Sequence, residues 1–316
     1  MDDHRSFPPT PDCPVLRTPP DRPDEAEALR RRARSGELQR IAHGRYCDAR
    51  QWHRLPPEQR HHVLVRSLVD RIVPEYAVSH RSAAVLLGVP VLGQLPDRVQ
   101  LIRRGRRSRT TNATFVVHDD LDPESRDILR FTADGLLVTG FVRTAVDLAT
   151  TTPFLDAVVA LDRVLAFGVD RDAIEFGVDR RASRGRRRAR RSLAFADAAS
   201  GSVGESVLRV RFDEYGTPPP VLQHRFSERG HPDIVVDFWF PEQGVVVEFD
   251  GEAKYRDPQL RGGRTAEDVV VAEKYREDRL RAFPDVTGVV RVGWADLWRE
   301  VQLRSKLRRG RVPMTR

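Results

Sequence analysis

Hydrophobic and polar positions change their period repeatedly in the last third of the chain. Residues 202–216, "SVGESVLRVRFDEYG", repeat apolar side chains at helical spacing. Residues 233–250, "DIVVDFWFPEQGVVVEFD", contain two apolar runs around a short turn, which predicts a β-hairpin. A helical pattern at 265–283 and an apolar run at 289–294 follow. The order of helix, hairpin, helix and strand predicts an α/β domain over 201–316 with a central mixed sheet.

The turn of this hairpin predicts its register. Four residues, "PEQG", connect the strands, so we expect Phe240 to pair with Val245 and Asp237 to lie opposite Glu248. Side chains alternate between the two faces of a strand, so Asp250 shares the face of Glu248. The sequence therefore predicts three carboxylates on one face of the sheet.

Opposed carboxylates need a compensating positive charge. Directly opposed residues have Cβ atoms about 5 Å apart, and two carboxylates at that distance repel by roughly 3 kcal/mol at an effective dielectric near 20. Oxygen ligands such as Asp237, Glu248 and Asp250 favour Mg²⁺ or Mn²⁺ over zinc. The alternative is that the acids lie on an exposed sheet face and pair with arginines. The candidate arginines are Arg225, Arg256 and Arg291.

Two further residues are candidates for the same site. Lys254, one of three lysines in the chain, follows the acids, and an ammonium there would stabilise negative charge on a phosphate or lower the pKa of an attacking water. Glu205 has two interpretations. Ser202 and Glu205 have the spacing of a capping box, while an acid on a helix packed against the sheet would be a further metal ligand.

Charges alternate along the helical pattern that follows. Glu273, Lys274, Arg276 and Asp278 have the spacing of salt bridges on a solvated helix face. The functional alternative is that some of them, with Arg291 on the next strand, support the metal site or bind phosphate.

Two segments precede the central region of the chain. Residues 1–23 contain seven prolines and little that a core would bury, which predicts a disordered arm. Residues 24–55 predict a short basic helix that ends near Gly36 and a hairpin that turns at Gly44. A helix followed by a two-stranded wing is typical of a winged-helix DNA reader, and a small α/β subdomain is the alternative.

Helical patterns and short strands alternate over residues 56–179, which predicts a mixed α/β region, so the fold class is α+β. Residues 180–200 form an arginine-rich linker or helix start. A solvated helix face and an arm that binds DNA phosphates are the two interpretations of this run, and the net charge of +8 favours the second. The arginines concerned are Arg180, Arg181, Arg184, Arg186, Arg187, Arg188, Arg190 and Arg191.

Composition excludes several classes of protein. Cys13 and Cys47 have no metal-ligand spacing and no neighbouring thiol, which indicates a reducing compartment without a disulfide framework. No apolar run reaches the roughly 20 residues of a membrane helix, and the N-terminus is acidic and proline-rich rather than like a signal peptide. We expect a cytoplasmic protein with no membrane partner.

The C-terminal residues resemble the restriction-endonuclease-like PD-(D/E)XK nucleases, in the branch akin to very-short-patch-repair endonucleases. The likeness spans about residues 202–307. The order of helix with Glu205, strand with Asp237, hairpin, strand with Glu248, helix and strand follows the family. Asp250 stands at the usual lysine position, so the role of the lysine falls to Lys254 or Lys274 or is absent. The resemblance implies Mg²⁺- or Mn²⁺-dependent hydrolysis of DNA.

A second resemblance covers roughly residues 24–165. "SGELQRIAHGRYCDA", "VSHRSAAVLLGVPVLG" and "VRTAVDLA" look like the AbiEi-type antitoxins of abortive-infection toxin–antitoxin systems. The resemblance implies a winged helix at residues 26–49 that binds operator DNA, and a cognate toxin as a possible partner. The proline-rich arm replaces the helices that normally precede the recognition helix. The alternative to a nuclease is therefore a catalytically inactive DNA-binding antitoxin or transcriptional regulator.

Overall fold

The computed structural model describes residues 8–104, 110–120, 127–130, 135–181, 183–251 and 266–315. The chain divides into two compact units, Met1–Ala196 and Asp197–Arg316. Helices accompany three sheets, each antiparallel or mixed, so the α+β class predicted from the sequence is confirmed. None of the helices in the described ranges is long and apolar enough to cross a membrane.

The first unit begins with a helix and a small antiparallel sheet. The helix ends at Arg34, and Gly36 adopts the left-handed conformation (φ +80°) that lets the chain reverse there. The hairpin turns at Gly44, so both predicted turns are confirmed. The elements are β1 (Leu16–Arg17), α1 (Pro23–Arg34), β2 (Leu38–Ala42), β3 (Arg45–Asp48) and α2 (Ala49–Arg54), with strand order β1-β3-β2.

The described residues before α1, 8–22, include a strand and a buried side chain, which corrects the expectation of a disordered arm for these residues. The strand β1 pairs antiparallel with β3. Cys13 is buried and packs with Cys47 and Val63, and burial raises the pKa of the Cys47 thiol to about 12. Both cysteines are free thiols, and they lie beside each other, although the sequence predicted no neighbouring thiol for either. The prolines did not prevent packing because a short apolar run, "CPVL", lies among them.

A six-stranded mixed sheet forms the centre of the first unit. Its strand order is β6-β7-β5-β4-β9-β8, and the helices α3 and α4 contribute buried side chains to the same core. The short strands predicted between the helical patterns correspond to β4, β5, β7 and β9. The elements are α3 (Pro57–Ser67), a 3₁₀ turn (Val69–Arg71), β4 (Tyr76–Val78), α4 (His80–Leu86), β5 (Val99–Arg103), β6 (Thr110–Thr111), β7 (Phe115–His118), β8 (Ile128–Arg130) and β9 (Leu137–Thr139).

Four helices complete the first unit, and the arginine-rich run belongs to the last of them. They are α5 (Phe141–Thr151), α6 (Phe154–Ala166), α7 (Arg171–Asp179) and α8 (Ser183–Phe195). Ala189 and Leu193 of α8 are buried in the core shared by these helices. Residues 183–195 are therefore a packed helix of the first unit rather than a linker.

Arg181 is buried, which corrects its assignment as a DNA-binding residue. Its guanidinium forms an ion pair with Asp147, which is also buried. Arg143 lies between Asp147 (3.3 Å) and Asp120 (2.9 Å) in the same network. Burial alone would raise the pKa of Asp147, but the surrounding positive charges hold it below its usual value. The network explains why one arginine of a basic run points inward.

Arg181→Met is expected to lower the free energy of unfolding by about 2 to 4 kcal/mol, because Asp147 loses one of its guanidinium partners in the protein interior. The neighbouring Arg180 is exposed, so Arg180→Met is the matched control, with an expected change within about 0.5 kcal/mol. Urea unfolding followed by circular dichroism measures both. Equal losses in the two variants would contradict a structural role for the Arg181–Asp147 pair.

The second unit is a four-stranded sheet with helices on both faces. Phe212 of the first helix packs on Phe238 and Phe240, whereas Leu280 of the second packs with Trp239 on the other face. The elements are α9 (Val203–Glu214), β10 (Val221–Phe226), β11 (Ile234–Phe240), β12 (Val245–Asp250), α10 (Ala266–Ala282), β13 (Gly288–Gly293), α11 (Trp294–Leu297) and α12 (Glu300–Arg309), with strand order β10-β11-β12-β13. β12 and β13 are parallel, and the other two pairings are antiparallel.

Candidate functional site

The hairpin of β11 and β12 has the register predicted from its turn. Phe240 pairs with Val245, and Phe238 pairs with Val247. The same register places Asp237 across from Glu248. On the outer side of β12, Glu248 lies beside Arg291 of β13. The two acids and this arginine therefore form a row across three strands.

Regular strand pairing is interrupted on both sides of Asp237. Its Oδ2 accepts a hydrogen bond from the backbone N–H of Phe249 at 2.7 Å. In a regular antiparallel ladder, a backbone carbonyl oxygen would accept the N–H bond instead. On the other side, Leu222 and His224 of β10 pair with β11, but Gln223 between them does not. Gln223 adopts φ +48°. A left-handed conformation is uncommon for a residue other than glycine, and such strain is concentrated at functional sites.

A cleft of about 360 Å³ opens at this interruption, on the face of the sheet that α10 covers. Asp237, Glu248 and Asp250 all line it, so the three carboxylates predicted to share one face of the sheet lie in the same cleft. The other lining residues are Gln223, Val235, Phe249, Glu273, Arg276 and Arg291.

Glu248 is paired with arginine inside the cleft. Its Oε1 lies 2.6 Å from Nη2 of Arg276, and its Oε2 lies 3.9 Å from Nε of Arg291. Arg276 also donates to the carbonyl oxygen of Val235 at 2.8 Å. Burial would lower the pKa of Arg276, but the hydrogen bond and charge of Glu248 raise it. Glu248 is thus paired with arginine, but it is buried and not on an exposed face, and its main partner is Arg276 and not one of the three candidate arginines.

The other two arginines considered for this pairing are placed differently. Arg225 forms an ion pair of 2.6 Å with Asp233 at the start of β11, outside the cleft. Arg256 lies outside the described residues, and so does Lys254, the candidate catalytic cation.

Helix α10 presents only part of its charged pattern to the cleft. Glu273 accepts hydrogen bonds from Arg276 at 3.2 Å and from Arg291 at 2.6 Å. Lys274 and Asp278 are exposed and are not among the residues that line the cleft. Helical spacing explains the difference, because positions 273, 276 and 277 share one side of the helix and positions 274 and 278 lie on another. Among the supporting residues considered, Arg291 lies at the cleft.

Only half of the predicted capping box is formed, and the Glu205 carboxylate is not among the residues that line the cleft. The hydroxyl of Ser202 accepts a hydrogen bond from the backbone N–H of Glu205 at 3.2 Å. The Glu205 carboxylate accepts from the N–H of Gly201 at 2.8 Å and from the Gln223 amide at 2.9 Å. Helix α9 lies on the sheet face opposite the cleft, so Glu205 reaches the site only through Gln223.

The donor set fits a hard divalent cation in its chemistry, since all three acids offer oxygen ligands. The side chain of Asp250 has no hydrogen bond or ion pair to any residue within the described ranges. Within those ranges, however, no group of three or more histidine, cysteine, aspartate or glutamate side chains is close enough to hold a metal ion. A cation that binds Glu248 would replace Arg276 as the partner of that carboxylate.

The arginine-rich helix distributes its side chains over two surfaces. Arg190 pairs with Asp179 at 2.7 Å, and Arg186 donates to the carbonyl oxygen of the same residue at 3.3 Å. Arg187, Arg188 and Arg191 line a separate cleft. Arg180 is exposed with its guanidinium over the Phe176 ring, and the side chain of Arg184 lies outside the described part of the chain.

No protein-family model matches the chain, and no curated protein matches it. A similar solved structure is the RV2827C protein from Mycobacterium tuberculosis, which has 19% sequence identity to this chain. The match covers 58% of this chain and 68% of that one, with a TM-score of 0.35. A likeness at that level supports no argument about fold or function.

Sequence reasoning missed Gln223 as a residue of this site. Its position opposite Asp237 follows from the register, because the pairs on either side are Leu222 with Phe238 and His224 with Val236. A polar side chain opposite an acid was the available signal. The left-handed backbone of Gln223 could not be predicted from the sequence, because glutamine does not favour that conformation.

Proposed function

We propose that this protein is a DNA-binding, Mg²⁺- or Mn²⁺-dependent endonuclease that hydrolyses phosphodiester bonds. The observation that supports the proposal is the gathering of Asp237, Glu248 and Asp250 in one cleft, at a point where strand pairing opens on both sides of Asp237. Among the described residues, four carboxylates but two guanidinium groups line the cleft, so a negative charge remains there that a divalent cation would balance.

Each residue has a role in this proposal. Asp237, Glu248 and Asp250 hold the metal, and Glu205 orients Gln223 beside them. A bound divalent cation would lower the pKa of the attacking water and screen the phosphate charge. Arg276 and Arg291 balance the carboxylates in the metal-free protein. Lys254 is the proposed source of additional positive charge beside the phosphate.

The proposal is tested by nicking of supercoiled plasmid in the presence of Mg²⁺ or Mn²⁺, with EDTA as the negative control. Cleavage that requires the metal supports it. The absence of cleavage of double-stranded, single-stranded and supercoiled DNA with either metal would contradict it.

DNA affinity has its own test on helix α8 and the arginine that precedes it. Replacing Arg180, Arg186 and Arg190 by glutamine is expected to weaken binding equally across sequences. The slope of log affinity against log salt should flatten by about 0.9 for each phosphate of duplex DNA that the variant no longer neutralises. Fluorescence anisotropy at several salt concentrations measures the slope. An unchanged slope would assign these arginines to a solvated helix face.

The second candidate function is a catalytically inactive, DNA-binding antitoxin or transcriptional regulator. Two observations favour it: Asp250 occupies the position where the related nucleases have lysine, and Glu248 is already neutralised by Arg276. Operator binding without cleavage, and co-purification with a toxin, would distinguish this function from the first.

A further inference from the structure

A larger cleft lies wholly within the first unit, between helix α8 and the ends of α5 and β7. Its volume is about 1000 Å³. Among the described residues, three arginines but a single aspartate, Asp119, line it, so this part of its surface is positive. Its lining residues are His80, His118, Asp119, Thr150, Thr151, Phe154, Gly185, Arg187, Arg188 and Arg191. We call it the arginine cleft. Neither the proposed nuclease site nor the DNA-binding surface of Arg180, Arg186 and Arg190 includes it.

One wall of the arginine cleft presents guanidinium groups held in place. Arg188 donates to the carbonyl oxygen of Thr150 at 2.5 Å, and the guanidinium of Arg191 lies 4.3 Å from the centre of the Phe154 ring. Arg187, which is exposed, lies beside them on the same helix. The helix is fixed against α5 at Gly185 (φ +83°), where a Cβ atom would clash with the carbonyl oxygen of Thr150. These interactions reduce the entropy that Arg188 and Arg191 would lose on binding a ligand.

The other wall contains two stacked histidines. The rings of His80 and His118 lie 3.9 Å apart with an angle of 23° between them. Nδ1 of His80 lies 3.0 Å from the Ser79 hydroxyl and 4.0 Å from the buried carboxylate of Asp147. Burial lowers the pKa of His80 to about 3, so the ring is neutral near pH 7. His80 also has a left-handed backbone (φ +51°), a strain that other interactions must offset.

A metal ion and a phosphate-containing ligand are the two classes of ligand to compare for this cleft. Face-to-face imidazoles do not point their nitrogens at a common centre, and no metal-holding group is found among the described residues. Planar guanidinium groups instead match the oxygens of phosphate, often through two parallel hydrogen bonds. The stacked imidazoles add ring nitrogens and a flat surface, and the cleft has the size of a small-molecule pocket.

We propose that the arginine cleft binds the phosphate groups of a free nucleotide, of the size of a nucleoside diphosphate. Arg187, Arg188 and Arg191 contact the phosphates, and the His80–His118 pair contacts the remainder of the ligand. The site lies in the first unit and uses none of the nuclease residues, so it does not depend on the proposed cleavage activity.

Calorimetric titration of the full chain with ADP, in EDTA, tests the proposal. The parent should bind ADP and, more weakly, pyrophosphate. Arg187→Glu and the double variant Arg187→Gln/Arg191→Gln should each weaken ADP binding by at least about tenfold, because each loses charge-assisted hydrogen bonds to phosphate. The matched control is Arg186→Gln/Arg190→Gln on the same helix, which should bind within about twofold of the parent.

The outcomes separate the proposal from general charge effects and from DNA binding. An equal loss in the cleft and control variants would overturn it, because the attraction would then depend only on net charge. A parent that binds neither ADP nor pyrophosphate would also overturn it, and a loss of duplex DNA affinity in the Arg187 and Arg191 variants would then assign these arginines to the DNA backbone. Arg187 is exposed, so its variant should retain the parent's melting temperature.

Discussion

Asp237→Asn is expected to reduce metal-dependent DNA cleavage by at least about a hundredfold while the metal-free protein remains folded. The change removes one negative charge from the proposed metal site, which weakens metal binding and the charge stabilisation that depends on it. An asparagine oxygen can still accept the Phe249 N–H, so the opening between β11 and β12 should persist.

Metal-free stability should change by less than about 1 kcal/mol in this variant, since the hydrogen bond to Phe249 is retained. The sequence alone predicted relief of a repulsion between Asp237 and Glu248. Because Arg276 already neutralises Glu248, we now expect that relief to be small.

The matched control is Asp233→Asn at the start of the same strand, where the carboxylate is paired with Arg225 outside the cleft. Nicking rate, DNA affinity and metal-free melting temperature are to be measured for parent, variant and control. Parent-like cleavage by Asp237→Asn would refute the assignment of this acid. A sharp loss of metal-free stability would instead assign Asp237 a structural role.

Acid is expected to destabilise the first unit strongly, through three buried histidines. Burial lowers the pKa of His61 and His62 to about 4 and that of His80 to about 3. In the unfolded chain each would bind a proton below about pH 6.5, whereas the folded unit keeps them neutral. Stability is therefore complete above about pH 6.5 and falls as the pH decreases towards 4, by about 4 kcal/mol for each pH unit with three protons involved.

Hydrogen exchange measured by mass spectrometry between about pH 7 and pH 4.5 tests this expectation peptide by peptide, after correction for the intrinsic pH dependence of exchange. Peptides of α3 and α4, which contain these histidines, should lose protection first. His231 is exposed, so His231→Gln is a control that should leave the pH dependence unchanged. Constant stability of the first unit from about pH 6.5 to pH 5 would contradict neutral burial of the three rings.

The parts of the site that were predictable follow from strand geometry. A four-residue turn and period-two alternation were enough to place Asp237, Glu248 and Asp250 in one cleft, because β11 and β12 are consecutive in the chain. The interpretation of Glu205 remained open at the sequence level. In the structure Ser202 caps the helix, while the Glu205 carboxylate bonds Gly201 and Gln223 and does not complete the capping box.

The parts that were not predictable depend on interactions between distant residues. Arg181 belongs to a run of surface arginines by sequence, but Asp147, which it neutralises, lies 34 positions earlier. Arg276 is one charge in an alternating helix pattern, and only the packing of α10 on the sheet directs it to Glu248. Gln223 takes its conformation from the interrupted pairing around Asp237, which no local preference of glutamine indicates.

The left-handed turn at Gln223 has a consequence for association between copies of the chain. β10 is an outer strand of its sheet in the described structure, and Val221 near its start is exposed. A regular edge strand offers a continuous row of N–H and C=O groups that can pair with a second molecule. Here the turn at the third of six residues divides that row into two short pieces. The backbone distortion beside the carboxylates thus also opposes edge-to-edge aggregation of the second unit.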